Sequence, residues 1–276
     1  MSLQLAIFYV NFAVKEQNKN TYGMYFRKLF VLVALCAASL SVAAQQSFSM
    51  DLYKGRPTVK SSDSKDTARV WVYLPEETRN TGRAILALPG GGYEWLSMDN
   101  EGHGFVPFFN DMGIAVVVLK YRMPHGKPQV PVSDAEAAMR LIRQSAAQWK
   151  INPNDVDVRP NSQILFNPLL TMMPGKTHQG AHDNFLGKKA KTRDERLYSP
   201  EQQVSRHTPR ALILFGEKDD LVPTWNGTNY YLELYRHDVP ASIFVYPNVG
   251  HGFGSTKNDP VSQCKWADMR SWLQSF

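Results

Sequence analysis

The sequence has few cysteines, and no pair of them is expected to stabilise the fold covalently. Only Cys36 and Cys264 can be counted among its 276 residues, and Cys36 lies in an apolar segment near the N-terminus. If that segment is removed as a leader, Cys264 remains alone and cannot form an intramolecular disulfide. No motif surrounds Cys264, so we expect it to have a structural role rather than to be a reactive thiol.

A strong charge imbalance is also absent. The 31 basic and 25 acidic residues give a net charge of +6. Loss of residues 1–44 would lower it to +3, because four basic residues and one acid lie there. This mild charge, without a basic stripe of interleaved aromatics, gives no reason to expect a nucleic-acid partner. The content of 43% hydrophobic and 20% charged residues is typical of a globular α/β domain.

The chain lacks an apolar run long enough to span a membrane. Its strongest apolar segment, Leu29–Ala38, follows Arg27 and Lys28 and precedes the small residues of 41–44. A basic region, a short apolar core and a small-residue cleavage site are the three parts of a secretory signal peptide. We therefore predict a signal peptide near 24–44 and a secreted or periplasmic protein, with no membrane contact after cleavage. An anchor helix or a buried helix is the alternative interpretation.

Two regions are predicted along the chain. Residues 1–44 would be an upstream extension plus signal peptide, with Met24 as the expected true start, and residues 45–276 would be one α/β domain. Strand and helix patterns alternate in this domain, which predicts a mostly parallel sheet with helices on both faces. The strand candidates are Ala68–Leu74, Arg83–Leu88, Gly113–Leu119, Ser162–Pro168, Ala211–Gly216 and Ala241–Val245.

Three further segments define the expected helices and the expected insertion. Ser133–Trp149 has the apolar spacing of a helix, and Ser133 with Glu136 forms a capping box at its start. A shorter helix is expected over Thr228–His237. The polar stretch Thr177–Val204 is predicted to be a loop or small cap insertion that contains a short helix.

Three groups of chemistry-bearing residues follow predicted strands. Acyl transfer requires a nucleophile, a base, an acid that orients the base, and backbone donors for the oxyanion. The bare N–H groups of Gly91 and Gly92 are candidate donors, since glycine lets the backbone approach a carbonyl oxygen closely. Asp219 is the candidate acid, with its neighbour Asp220 as rival, and His251 is the candidate base. A simple tight turn and a surface aspartate remain the alternatives for these glycines and acids.

Two other patterns are weaker indications of a functional site. His178-x-x-x-His182 has the spacing of metal ligands on a helix, but Gly180 and the polar setting favour a solvated loop, so we expect no metal and no cofactor. Glu94 and Glu101 could suggest a carboxylate pair for glycoside hydrolysis. Nothing in the predicted fold supports that pair, and we interpret both as rim residues or loop caps.

These motifs in combination resemble the α/β-hydrolase fold, in the esterase/lipase-like group that includes secreted acetyl-xylan and carbohydrate esterases. The segments that carry the resemblance are Pro89–Tyr93, Val118–Arg122, Ser133–Ala135, Ile151–Pro153, His178–Gly180, Asp183–Gly187, Tyr198–Pro200, Gly216–Pro223 and Gly250–Gly252. The resemblance implies Asp219 and His251 as triad members and Gly91 and Gly92 as oxyanion donors. It also implies no metal, and a small ester or acylated oligosaccharide as substrate.

The nucleophile of that family is missing from the chain. No Gly-x-Ser-x-Gly occurs, and Val156–Val158 is a stub where the family has a buried strand, a nucleophile elbow and a helix. Only Arg159–Gln163 separates the stub from the next strand, too few residues for a parallel crossover. We infer that roughly 25 residues are absent, the size of one strand–elbow–helix unit. Ser162 and Ser255 are the nearest substitutes by position, and neither lies on a strand-to-helix elbow.

Three hypotheses apply to the whole chain. It is of a carboxylic-ester hydrolase lineage and catalytically impaired as written, or a non-catalytic relative that binds an ester or carbohydrate, or the product of a defective gene or faulty gene model. The third also predicts poor folding. A buried strand and helix contribute roughly 1.5–3 kcal/mol per large side chain, against a total stability of about 5–15 kcal/mol.

Overall fold

The computed structural model describes residues 46–152, 160–255 and 260–276. The predicted signal peptide near 24–44 and the stub Val156–Val158 lie outside the described residues. Within the described ranges, no helix combines the length and the apolar character that a membrane crossing requires. The described residues from Gln46 onward belong to one structural unit.

Within the described ranges, seven strands form two sheets rather than one. The strands are β1 Gln46–Asp51, β2 Arg69–Leu74, β3 Ala84–Ala87, β4 Ala115–Lys120, β5 Ser162–Phe166, β6 Arg210–Lys218 and β7 Ala241–Gly250. The first sheet has the order β1-β2-β4-β3 and the second the order β5-β6-β7. β1 and β2, and β2 and β4, are antiparallel, whereas β3 with β4 and all pairs of the second sheet are parallel. The predicted, mostly parallel α/β architecture is thus present, divided between β3 and β5.

Helices cover both faces of the sheets. They are α1 Met98–Glu101, α2 Val106–Asp111, α3 Gln129–Gln144, α4 Ala146–Trp149, α5 Gln179–Leu186, α6 Thr192–Leu197, α7 Trp225–Arg236 and α8 Pro260–Leu273. Short 3₁₀ turns lie at Glu77–Arg79, His103–Phe105 and Pro200–Gln202. The central strands β4 and β6 are almost continuously apolar and buried, as parallel strands covered on both faces must be.

The core is continuous on one face and divided on the other. On one face, Val116 and Val118 of β4 share a cluster with Leu212 and Leu214 of β6, covered by α2 and α8. On the opposite face the first sheet packs against α3 and α4. The second sheet packs separately against α7 on that face. The two sheets therefore meet through a single apolar layer.

Two local predictions were wrong. The long helix begins at Gln129 rather than Ser133, because Pro131 is tolerated in a first turn, and the Ser133 hydroxyl donates to the Val130 carbonyl instead of capping. The segment around His178 is helical, not a solvated loop: the His178 ring accepts a hydrogen bond from Ala181 N and caps α5. The 177–204 segment thus contains two short helices, α5 and α6, and the 3₁₀ turn.

Candidate active site

His251 and Asp219 meet where two neighbouring strands end. Asp219 directly follows β6 and His251 directly follows β7, and the carboxyl ends of parallel strands share one sheet edge. His251 Nδ1 lies 2.8 Å from Asp219 Oδ2. The Asp219 side chain is fully buried, whereas 35% of the His251 side chain is exposed. A buried carboxylate therefore orients an imidazole that remains accessible from solvent.

The backbone fixes the second oxygen of Asp219. Its Oδ1 accepts hydrogen bonds from Leu221 N at 3.0 Å and Val222 N at 2.8 Å. Asp220, the rival acid, is exposed. An imidazole whose Nδ1 is held by a carboxylate exchanges protons through Nε2, and the carboxylate stabilises the imidazolium that forms. The pair can therefore serve as a general base.

The glycine-rich loop after β3 presents backbone donors that pair with no acceptor in the described part of the chain. The Gly91 carbonyl accepts from Glu94 N and Trp95 N, and Gly90 N donates to Glu101 Oε2 at 2.8 Å. The N–H groups of Gly91 and Gly92, by contrast, have no acceptor among the residues described. Both glycines have positive φ, at 137° and 62°. Two adjacent bare donors of this kind can bind an oxyanion.

Helix α1 joins the glycine loop to the histidine loop. Glu101 accepts from Gly90 N, and its neighbour Asn100 donates through Nδ2 to the Gly252 carbonyl at 3.2 Å. The Asn100 carbonyl accepts from both the backbone N and the hydroxyl of Ser255. Glu101 is thus a loop cap, as the sequence suggested. The role of Asn100 was missed, since a contact across 152 positions leaves no local signal.

Neither substitute serine has the geometry of a nucleophile on a strand-to-helix turn. The Ser255 hydroxyl donates to the Asn100 carbonyl at 2.7 Å. Ser162 is the first residue of β5 and lies at the amino edge of the parallel sheet, whereas Asp219 and His251 follow the carboxyl ends. Neither serine is therefore placed to act as the nucleophile beside the His251–Asp219 pair.

Helix α5 of the insertion contacts the glycine loop directly. Asn184 Nδ2 donates to the Gly92 carbonyl at 3.0 Å, and Gly126 N donates to the Asn184 carbonyl at 2.8 Å. The Tyr93 ring stacks on Phe185, with ring centroids 4.4 Å apart and planes 24° from parallel. Burial raises the pKa of Tyr93 to about 12. The insertion therefore fixes the loop that carries the candidate oxyanion donors.

Asn167 is a further residue beside His251 that the sequence did not single out. It follows β5 with φ 41°, and its Nδ2 lies 3.5 Å from His251 Nδ1. Its buried Oδ1 has no hydrogen-bond partner within the described part of the chain. A strained, buried amide at this position borders the imidazole on the side of β5.

The spaced histidines of the insertion take part in packing and capping. His182 is buried, with Nδ1 2.9 Å from Asp183 Oδ1 and Nε2 3.3 Å from Glu195 Oε1. His178 caps α5 through its ring. No group of three or more metal-ligating side chains that could hold an ion was found in the described ranges.

Comparison with known sequences gives two likenesses. The Prolyl oligopeptidase family (peptidase S9) matches residues 169–275, which include Asp219 and His251. An acetylxylan esterase of Xylanibacter ruminicola is 35% identical over 277 aligned positions. The alignment covers 91% of this chain and 55% of that protein, so the chain spans about half the length of this relative.

Comparison with solved structures supports the fold. An acetyl ester-xyloside bifunctional hydrolase from Caldicellulosiruptor lactoaceticus has a TM-score of 0.74 at 21% identity, over 84% of this chain and 96% of that one. A truncated carbohydrate esterase from gut microbiota has a TM-score of 0.67 at 15% identity, over 85% and 99%. Esterase 2 of Thermogutta terrifontis has a TM-score of 0.64 at 18% identity, over 82% and 93%. These findings confirm the predicted resemblance: the chain has an α/β-hydrolase fold and is similar to the esterases of that group.

Proposed function

We propose that this chain carries the acyl-transfer machinery of a secreted carboxylic-ester hydrolase for acetylated or otherwise acylated sugars, without its nucleophile. The observation that carries the proposal is the 2.8 Å contact between His251 Nδ1 and Asp219 Oδ2 at the sheet edge. Helix α1 joins the loop of His251 to the glycine loop that contains Gly91 and Gly92. The similarity to an acetylxylan esterase supports the substrate class.

Each group has a defined part in the intact reaction. A serine hydroxyl would attack the acyl carbon and transfer its proton to the imidazole of His251. Asp219 would hold the ring orientation and stabilise the imidazolium. Gly91 and Gly92 would donate to the oxyanion of the tetrahedral intermediate. The missing serine therefore removes the covalent step and leaves the charge-stabilising groups in place.

The proposed impairment has a kinetic signature. Hydrolysis of p-nitrophenyl acetate by the purified chain should show no burst of p-nitrophenol, because no acyl-enzyme can accumulate. Turnover should not exceed the roughly 10³–10⁴-fold acceleration over water that remains when a triad member is lost. A burst equal to the enzyme concentration would refute the impairment.

A matched variant tests the base. His251→Ala should lower the residual hydrolysis rate, whereas His207→Ala, an exposed histidine outside the site, should leave it unchanged. Equal rates for the wild type and His251→Ala would contradict the role of His251.

A second candidate function is binding without catalysis. The bare donors of Gly91 and Gly92 and the half-exposed imidazole can hold a carbonyl or carboxylate oxygen even when no nucleophile is present. Isothermal titration with acetylated xylo-oligosaccharides should then give measurable heat that the deacetylated oligosaccharides do not. Identical titrations for both sugars would rule out recognition of the acyl group.

A further inference from the structure

Two strand edges are unpaired, among the described residues, where the sheet divides. Ala115 N donates to the Arg83 carbonyl. Because successive peptide groups of a strand point to opposite sides, Ile85 and Ala87 face β4 while Ala84, Leu86 and Leu88 direct their N–H and C=O groups away from it. In the second sheet Asn167 N donates to the Leu214 carbonyl, so the amides of Ile164 and Phe166 point away from β6.

We call these two outward edges, formed by Ala84, Leu86 and Leu88 and by Ile164 and Phe166, the β3/β5 slot. No described strand pairs with either edge. All residues of β3 and β5 are only half-buried, although their partners β4 and β6 are buried almost throughout. Leu88 is 50% exposed. Apolar strands with open hydrogen-bonding edges are templates for strand addition.

The strands β3 and β5 run in the same direction, since both end on the side of the sheets where His251 lies. β3 ends in the glycine loop and β5 ends at Asn167, which lies beside His251. Glu101 and Asn100 tie the glycine loop after β3 to the loop of His251 after β7, so the ends of β3, β5 and β7 lie at one sheet edge. One added strand that runs parallel to both β3 and β5 could therefore complete both hydrogen-bond rows at once.

The divided core indicates which element should come after such a strand. The face packed against α3 and α4 and the face packed against α7 are separate apolar clusters, and the boundary between them coincides with the slot. The opposite face is already continuous beneath α2 and α8. An amphipathic helix after the added strand would cover the divided face, and only that face requires it.

We propose that the β3/β5 slot is a docking surface for a strand–turn–helix segment supplied by a separate polypeptide. The occupant is an apolar strand parallel to β3 and β5, a tight turn, and an amphipathic helix. A Gly-x-Ser-x-Gly turn would place its serine at the carboxyl edge, beside His251 and the N–H groups of Gly91 and Gly92. The docking stands on the sheet edges alone, whereas the gain of catalysis rests on the proposed acyl-transfer function.

The chemistry of the complemented site balances. The serine oxygen forms a bond to the acyl carbon, the proton passes to His251, and the bond from the acyl carbon to the alkoxy oxygen breaks with return of that proton to the leaving alcohol. Water then releases the acid through the same steps in reverse order. No oxidant, reductant or metal is needed.

The test uses the full chain and three synthetic peptides of about 25 residues, the size of one strand–turn–helix unit. The first has a valine- and isoleucine-rich strand, a Gly-x-Ser-x-Gly turn and an amphipathic helix. The second replaces the serine by alanine, and the third places two prolines in the strand. Binding is followed by fluorescence anisotropy of labelled peptide, and catalysis by the p-nitrophenol burst.

The serine and alanine peptides should bind with dissociation constants within about twofold of each other, and the proline peptide should bind at least tenfold more weakly (~1.4 kcal/mol). Only the serine peptide should produce a burst. Failure of the first two peptides to bind, or equal binding of all three, would overturn the docking. Binding of the serine peptide without a burst would leave the docking intact and overturn the acyl-transfer function.

A variant of the chain locates the surface. Leu88→Pro removes one outward N–H and should weaken peptide binding several-fold, and residue 88 already precedes Pro89, so its extended conformation is compatible with proline. Leu88→Ala keeps the amide and is the matched control, with binding close to that of the wild type. Equal binding of both variants would place the peptide elsewhere.

Discussion

Asn184 holds the carbonyl of Gly92 through a 3.0 Å hydrogen bond from its side-chain amide, and so connects the insertion to the glycine loop. The two residues are 92 positions apart. Because the carbonyl and the following N–H belong to one rigid peptide plane, this contact also fixes the direction of the Tyr93 N–H. The insertion thus contributes directly to the conformation of the candidate site.

We expect Asn184→Ala to loosen the glycine loop. Loss of one hydrogen bond should cost about 0.5–1.5 kcal/mol. The hydrogen-bonded loop amides of Gly90, Glu94 and Trp95 should then exchange with solvent faster, by the factor that corresponds to this free energy. Native-state hydrogen exchange measures both. Asn229→Ala, at an exposed position of α7, is the control and should change neither quantity. Unchanged exchange in Asn184→Ala would show that the loop is held by the Tyr93–Phe185 stack alone.

The two candidate oxyanion glycines should respond differently to alanine. A Cβ on Gly91 would lie 2.2 Å from the Trp95 carbonyl oxygen, at φ 137°, whereas a Cβ on Gly92 would meet no atom within 4 Å, at φ 62°. Gly92→Ala should therefore cost about 1–2 kcal/mol of conformational strain. Gly91→Ala adds a steric clash and should cost about 3 kcal/mol or more. Urea unfolding of the two variants gives the comparison, and equal costs would contradict the loop conformation.

Asp134 of α3 and Arg122, which follows β4, form a buried ion pair. Their side chains are 0% and 3% exposed, with 2.6 Å between Asp134 Oδ1 and Arg122 Nη2. Asp134 Oδ1 also accepts from the Tyr53 hydroxyl at 2.7 Å. Removing one partner leaves an uncompensated buried charge, so Asp134→Ala should lower the free energy of unfolding by about 3–5 kcal/mol.

The matched control for that change is Glu136→Ala on the same helix. Glu136 pairs with Arg140 at 3.6 Å across an exposed surface, and exposed i,i+4 pairs contribute about 0.3–0.5 kcal/mol. Chemical denaturation should therefore show a much larger loss in the free energy of unfolding for Asp134→Ala than for Glu136→Ala. Similar losses would mean that the Arg122–Asp134 pair is open to solvent.

Alkaline pH should destabilise the fold through two partly buried tyrosines, Tyr53 and Tyr93. Burial raises the pKa of Tyr93 to about 12 from an ordinary value of 10.0. Burial and the hydrogen bond to Asp134 raise the pKa of Tyr53 to about 12 as well. Since the folded state holds these protons more tightly, their contribution to stability is complete below pH 10 and is lost as pH rises through 12.

The phenolate absorbance and the melting temperature report this titration together. Tyr93→Phe should remove one late-titrating phenol and flatten the loss of stability between the ordinary and the raised pKa. Tyr235→Phe, with 72% of the residue exposed, serves as the comparison and should leave that slope unchanged. A slope that is the same in Tyr93→Phe and the wild type would contradict burial of Tyr93.

The sequence predicts those parts of the fold that depend on local patterns. The β-branched run of β4, the glycines after β3, and the order of Asp219 and His251 are all readable because strand periodicity and chain order define them. The predicted start of α3 was wrong, because the helix begins at Gln129 and the capping signal at Ser133 lies one turn inside it. A capping motif does not fix a helix start when the residues before it, including a proline in the first turn, can also be helical.

The supporting contacts of the candidate site could not be predicted. Asn100 reaches Gly252 and Asn184 reaches Gly92 across long separations, and neither residue belongs to a motif with a fixed spacing. Gly180 also suggested a loop, because glycine weakens helices. The segment is nevertheless helix α5, since the His178 ring caps it and Phe185 packs against Tyr93. Tertiary contacts decided each of these cases.

The single apolar layer that joins the two sheets gives the molecule an unusual dependence on temperature. Apolar association weakens on cooling, whereas the hydrogen bonds between paired strands within each sheet do not rely on it. The two sheets share one apolar cluster that includes Val118 of β4 and Leu214 of β6, and no strand pairing links β3 to β5 among the described residues. Cold should therefore loosen the junction between the two sheets before either sheet unravels, and the hydrogen bonds from Asn100 to Gly252 and from Asn184 to Gly92 would then be among the remaining ties between the halves.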